Sequence, residues 1–113
     1  MLPKLNRLPG NALRLVKAEG KIFQGKYVAV CVLPNGLEIN RFGAVVSKKV
    51  ALNAVTRNLN KRLIYSNVQN NFDKLVPGYD VVFLAKRRMI VTNTDIIKED
   101  ILHTLKASGV LKD

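Results

Sequence analysis

Tryptophan is absent, and cysteine and histidine occur once each, as Cys31 and His103. One thiol cannot close an internal disulfide, and one Cys with one His cannot hold a structural zinc. A reducing interior, the cytoplasm, is the expected compartment. No run of about 18 uncharged apolar residues occurs, and MLPKLNRLPG at the start has charges without a signal-peptide apolar run behind it, so neither a membrane span nor secretion by that route is expected. A membrane-surface protein would need a long basic helix with bulky apolar residues opposite and a tryptophan to anchor it. Acid is scarce: 8 Asp and Glu stand against 19 Lys and Arg, for a formal net charge of +11. Such an excess favours a polyanionic partner, and with the membrane set aside that partner is nucleic acid.

The few carboxylates also limit the chemistry. A metal-dependent nuclease clusters several of them to hold its ions. Here Glu19, Glu38, Asp73, Asp80 and Asp113 are scattered, while Asp95, Glu99 and Asp100 share helical spacing and read as a solvated face. His103 has no carboxylate or nucleophile nearby in sequence to orient it, and Ser47 has no local base. Neither a catalytic residue nor a protein-held metal is expected; Ser47 reads as a hydrogen-bonding partner for a phosphate or for the start of a helix.

What is present is 113 residues, 48% of them apolar, enough for one hydrophobic core and one domain spanning 1–113. Leu13, Leu15 and Val16 within 11–19 predict a short helix stopped by Gly20. Residues 26–33 are rich in β-branched and aromatic types, and Pro34-Asn35-Gly36 supplies turn chemistry, so a hairpin is expected with a return strand over 37–47. Gly43 in that strand marks a bulge or a close backbone approach. Over 53–72 the period becomes helical, with one ridge at Val55, Leu59 and Leu63 and another at Ile64, Val68 and Phe72. The first ridge is read as an apolar face opposite Arg57, Asn58, Lys61 and Arg62. YDVVFLA, beginning at Tyr79, is nearly continuous in apolar residues, the pattern of a strand covered on both faces. Another apolar stretch at 89–92 precedes a last helix capped by Asn93 or Thr94, with Ile97, Ile101 and Leu105 inward and Gly109 at its end. The order is that of an α+β sandwich with helices on a mainly antiparallel sheet, in which the strands flanking the long helix could instead be parallel.

Between Glu38 and Asp73 there is no acid, yet Arg41, Lys48, Lys49, Arg57, Lys61 and Arg62 lie there. Salt-bridge pairing, the usual explanation of surface cations, is locally missing, which favours a phosphate-binding patch over a merely solvated face. Ser47-Lys48-Lys49 falls at a strand end just before the helix with the basic face, so the two can share a surface. Lys86-Arg87-Arg88 and the arm residues Lys4, Asn6 and Arg7 add charge elsewhere.

These residues resemble the protein subunit of bacterial ribonuclease P. The match runs through Arg41-Phe42-Gly43, Val46-Ser47-Lys48-Lys49-Val50, Asn53-Ala54-Val55-Thr56-Arg57-Asn58 and Lys61-Arg62, with the arm Leu2-Pro3-Lys4, Asn6-Arg7-Leu8 and the later Pro77-Gly78-Tyr79-Asp80-Val81-Val82. The resemblance implies an α-β-β-β-α-β-α sandwich of three helices on a four-stranded mixed sheet, with a left-handed βαβ crossover where general rules favour a right-handed one. It implies a protein that binds the catalytic RNA and the 5′ leader of precursor tRNA, with the chemistry in the RNA and Mg2+ held by the whole complex rather than by the protein. Neither membrane nor DNA is an expected partner. Ser47, Lys48, Lys49, Arg57, Asn58, Lys61 and Arg62, with Arg41, Lys4, Asn6 and Arg7, would contact RNA; Leu13, Lys17, Tyr27 and Cys31 would line the leader groove. Leu59 stands where the family has a second Arg, Ala51-Leu52 replaces a single Gly, and Ile64-Tyr65-Ser66-Asn67 replaces a charged continuation. Leu13, Lys17 and Cys31 stand where groove aromatics are usual, leaving Phe23, Tyr27 and Phe42 as candidates for stacking on bases. The alternative reading is a structural RNA-binding protein, such as a ribosomal protein, with no part in cleavage.

Overall fold

The computed structural model describes residues 2–87, 89 and 93–112. In chain order they form α1 (Gly10–Glu19), β1 (Lys21–Gln24), β2 (Val28–Pro34), β3 (Arg41–Val45), α2 (Ala54–Asn70), β4 (Tyr79–Ala85) and α3 (Thr94–Ser108), with 3-10 turns at Lys4–Asn6 and Phe72–Lys74. The sheet order is β1-β2-β4-β3. β1 and β4 run antiparallel to β2, while β3 runs parallel to β4, so α2 is the crossover of a βαβ unit. The mixed α+β fold and its element order are those the resemblance implies.

Because successive strand residues point to opposite faces, β2 and β4 feed two cores. Val28, Val30 and Val32 meet Val81 and Phe83 on the face covered by α2 and α3, where Ile64, Ile97, Ile101 and Leu105 are also buried. Cys31 and Val82 point the other way, onto Val16 of α1. β4 is therefore covered on both faces, as its unbroken apolar run requires.

The expected hairpin does not form. Gly36 adopts φ +72°, and the Asn35 carbonyl Oδ1 accepts from the Leu37 N–H at 2.7 Å, so the turn chemistry is present. The chain nevertheless leaves β2 and returns on the far side of β4. β3 is five residues long rather than the eleven of 37–47, and its neighbour is a strand nearly forty residues later. A strand apolar on both faces gains most by lying centrally, and β4 takes the place next to β2. β1 escapes the sequence pattern because only Phe23 of its four residues is packed.

α3 follows expectation: the Asn93 side chain accepts from Asp95 N–H, and Gly109 ends the helix at φ +84°. Its acidic residues do not all face solvent. The Asp100 carboxylate accepts main-chain N–H groups of Lys26, Tyr27 and Val28 at 2.9, 2.9 and 3.1 Å, tying α3 to the β1–β2 connection. Gly25 makes this approach possible, since a Cβ there would lie 2.6 Å from Asp100 Oδ2. Of the stretch read at 89–92, Met89 is buried and the rest lies outside the described residues, as does Arg88.

Candidate nucleic-acid interface

After β3 the chain turns tightly. Val50 and Ala51 N–H groups both donate to the Ser47 carbonyl, at 3.0 and 3.1 Å, which leaves Ser47, Lys48 and Lys49 exposed at the tip. α2 starts six residues beyond Lys48, its Asn53 side chain capping Val55 N–H at 2.7 Å. No acid occupies its first turn, so the positive end of the helix dipole adds to the nearby cations. Along α2, Asn58 and Arg62 face solvent, and Lys61 and Tyr65 follow one flank at i, i+4 spacing. Asn58, Lys61, Arg62 and Tyr65 line one surface hollow together.

α2 is turned by roughly a third of a revolution from the sequence expectation. Its buried residues are Asn60, Ile64, Asn67 and Val68, while Val55 and Leu59 are 66% and 55% exposed. The ridge of Ile64 and Val68 is thus the inner one. The basic residues stay outward, but the apolar Val55 and Leu59 lie out beside them instead of opposite. Arg57 is partly committed, its Nη1 donating to the Ala51 and Leu52 carbonyls at 2.9 and 2.7 Å and bracing the segment that leads into the helix.

Arg41 does not belong to this surface. Nε and Nη2 donate to the two oxygens of Asp80 at 2.9 and 2.7 Å, so the partner missing locally comes from β4. Arg41 also opens β3 whereas Ser47 follows its end. The arm lies along the outer edge of β3, where Leu8 N–H donates to the Phe42 carbonyl at 3.0 Å. Asn6 is engaged in holding it, Nδ2 donating to the Asn40 carbonyl at 2.7 Å, while Lys4 and Arg7 remain exposed. Arg7 Nε donates to the Leu2 carbonyl.

The parallel pairing brings in a cluster that sequence spacing left apart. β3 and β4 end on the same side, so Ser47-Lys48-Lys49 and Lys86-Arg87 leave the sheet at one end, each just beyond the last paired position, Val45 with Leu84. Lys86 is half-buried and its Nζ donates to the Gly25 carbonyl; Arg87 is exposed.

The expected groove assembles in part. Leu13 and Cys31 meet between α1 and the sheet, but Cys31 is buried against Val16 and Val82 and forms floor rather than lining. Burial raises the thiol pKa and the charge of nearby Lys17, itself exposed, pulls it back. Tyr27 packs with the α3 side of the core, as do Phe23 and Phe42, so none of the three aromatics belongs to the cluster of Val16, Cys31 and Val82 under α1. Ile22, paired across from Cys31 and 49% exposed, is the apolar side chain that does flank it. No alternation in β1 marks it in the sequence. Gly43 fulfils the close-approach reading, since a Cβ there would lie 3.0 Å from Leu13 Cδ1. Among the described residues no three His, Cys, Asp or Glu come together as a metal site, and no helix is long and apolar enough to cross a membrane.

Comparison with known proteins gives this surface a context. The ribonuclease P family model matches residues 2–108. The ribonuclease P protein component of Caldanaerobacter subterraneus subsp. tengcongensis is 32% identical over 114 aligned residues, covering 100% of this chain and 97% of that protein. That of Clostridioides difficile is 40% identical over 94 residues, or 82% of this chain and 78% of that protein. Among solved structures, the ribonuclease P protein of Staphylococcus aureus superposes with a TM-score of 0.86 at 27% identity over 95% of this chain and 98% of that one. The Thermotoga maritima protein gives 0.82 at 27% identity over 89% and 96%. With sequence, fold and coverage in agreement along nearly its whole length, the chain belongs to the ribonuclease P protein family.

Proposed function

We propose that this chain acts as the protein subunit of the endoribonuclease ribonuclease P, holding the catalytic RNA and the 5′ leader of precursor tRNA while the RNA performs the magnesium-dependent cleavage that matures the tRNA 5′ end. The observation that carries the reading is that Lys48 and Lys49 are exposed on the turn leading to α2, and that Asn58, Lys61 and Arg62 line one hollow on that helix, none with an acidic partner among the described residues. Such a surface attracts a ribose-phosphate strand through Coulomb attraction and counterion release. Arg62 offers a planar fork to phosphate oxygens, the lysines mobile point charges, and Asn58 both a donor and an acceptor for sugar or base edges.

The leader fits the groove beside α1, where Leu13, Lys17 and Ile22 offer apolar contact and one cation. The groove lacks an aromatic platform, so its grip on the leader rests on charge and on apolar contact with sugars and base edges. Neutralising phosphates on both RNAs lowers their mutual repulsion and lets them share magnesium ions at the scissile phosphodiester. In this reading the ions are held by phosphates of the complex, consistent with scattered carboxylates in the chain.

Reconstitution tests the reading. The chain added to its cognate catalytic RNA is expected to raise precursor-tRNA cleavage at low magnesium, and the chain alone to cleave nothing. Cleavage by protein alone that disappears with loss of a carboxylate would reverse the assignment of chemistry to RNA. Tight RNA binding without any stimulation would favour a purely structural RNA-binding role.

A further inference from the structure

Tyr65 lies at a seam in the surface. Its ring lines the hollow shared with Asn58, Lys61 and Arg62, and also a separate notch of 240 Å³ at the outer edge of β3. Phe42 and Gly43 of β3, Leu8 of the arm and Leu13 of α1 line that notch with it, and Arg7 is the one charged residue in the lining. The notch exists because the arm pairs with β3 only at the Arg7–Phe42 bridge before turning into α1, which leaves the strand edge beyond Phe42 uncovered by it. The Tyr65 hydroxyl reaches that edge. Burial raises its pKa, while a hydrogen bond from the Ala44 main chain and the charge of Arg7 lower it, the signature of a polar group in a mostly apolar recess facing a cation.

Two aromatic side chains, Tyr65 and Phe42, apolar walls, the Tyr65 hydroxyl and the Arg7 cation are features that receive a nucleobase: the Tyr65 ring and the walls take its flat face and the hydroxyl its polar rim. The volume is below the roughly 300–1,000 Å³ of pockets that enclose drug-sized ligands, which suits one planar ring system better than a longer segment. The mouth indicates where the base comes from. Tyr65 borders both the notch and the hollow lined by Lys61 and Arg62, so a strand gripped there can place a base in the notch, while Leu13 is shared by the notch and the groove beside α1.

We propose that the notch between Tyr65 and Leu8 receives one unstacked base of the RNA strand held on α2, a nucleotide of the catalytic RNA. This rests on the RNA-binding reading above and adds to it a stacking site entered from the α2 side of the molecule.

Binding of the full chain to the catalytic RNA over a salt series tests the proposal. Tyr65→Ala is expected to weaken binding about tenfold and Tyr65→Phe, which keeps the ring, about threefold, both with unchanged log–log salt slope because no phosphate contact is lost. Lys61→Ala should instead flatten the slope. Undiminished affinity in both Tyr65 variants, each shown folded by thermal melting, overturns the notch; if Lys61→Ala still flattens the slope, the RNA-binding reading survives. No binding by the unsubstituted chain overturns both. A readout without mutation guards against misfolding. Nucleoside 5′-monophosphates should shift the Gly43 and Ala44 amide resonances while ribose 5-phosphate does not, and equal responses, or none, overturn base insertion. Finally, Tyr65→Phe should leave the reconstituted complex's preference for precursor over mature tRNA unchanged. A reduced preference with intact affinity for the catalytic RNA would place the leader in the notch and overturn the assignment.

Discussion

Arg41 grips Asp80 through two hydrogen bonds across the parallel β3–β4 pair, directly opposite in register. Asp80 is 5% exposed and accepts a third bond from the Asn35 Nδ2 at 2.9 Å, so three segments meet on one carboxylate. Arg41→Ala leaves that carboxylate without its counterion and is expected to cost about 2–4 kcal/mol in urea denaturation, against less than about 0.5 kcal/mol for Lys49→Ala. Equal, small effects from both would mean the pair behaves as a surface salt bridge.

Asp100 makes a comparable junction with main chain only. Asp100→Ala removes the acceptor of the Lys26, Tyr27 and Val28 N–H groups. A loss on the order of 3 kcal/mol is expected by equilibrium unfolding, with faster amide hydrogen exchange at those positions. Unaltered exchange there would show that water replaces the carboxylate at no cost.

On the RNA side, Lys49→Ala and Arg62→Ala should each lower the log–log salt slope of binding by up to about one unit without a change in melting temperature. Arg57→Ala should do both, because its guanidinium also braces Ala51 and Leu52; a lost hydrogen bond of this kind costs about 1 kcal/mol. A slope untouched in all three would remove this helix face from the interface.

Leu59 is 55% exposed and lies beside Arg62, so the larger side chain of Leu59→Arg fits without repacking. Tighter RNA binding at low salt is expected, with a slope steeper by up to about one unit. Weaker binding would show that the apolar Leu59 contributes a contact of its own.

Cys31 is expected to resist alkylation. Burial disfavours its thiolate and raises the pKa, an effect Lys17 only partly offsets. At pH 8 the folded chain should react with iodoacetamide at least about tenfold more slowly than the urea-unfolded chain. The raised thiol pKa stabilises the fold fully below the ordinary thiol range, and this contribution fades as pH rises through the raised folded-state value. Equal rates in the two states would mean that α1 opens freely above the sheet.

Much of this protein could be read locally. The inner ridge of α3, its Asn93 cap and Gly109 end, the two-sided burial of β4 and the acid-free basic segment all depend on residues a few positions apart, and there side-chain period, cap chemistry and charge act directly. The family resemblance rested on such local motifs as well. What local pattern could not decide was neighbourhood. Pro34-Asn35-Gly36 makes the same turn whether the next strand pairs with β2 or passes beyond β4, and only burial on both faces of β4 settles which. Val55 and Leu59 have a helical period as good as that of Ile64 and Val68, but α2 can bury one face only, and packing against the sheet and α3 selects it. The counterion of Arg41 lies 39 residues away in sequence, and the arm, α1 and α2 border one notch through contacts that no spacing encodes. Local chemistry set the elements and their charge; strand pairing and core packing, which join distant parts of the chain, decided which cations stayed at the surface and what stood beside them.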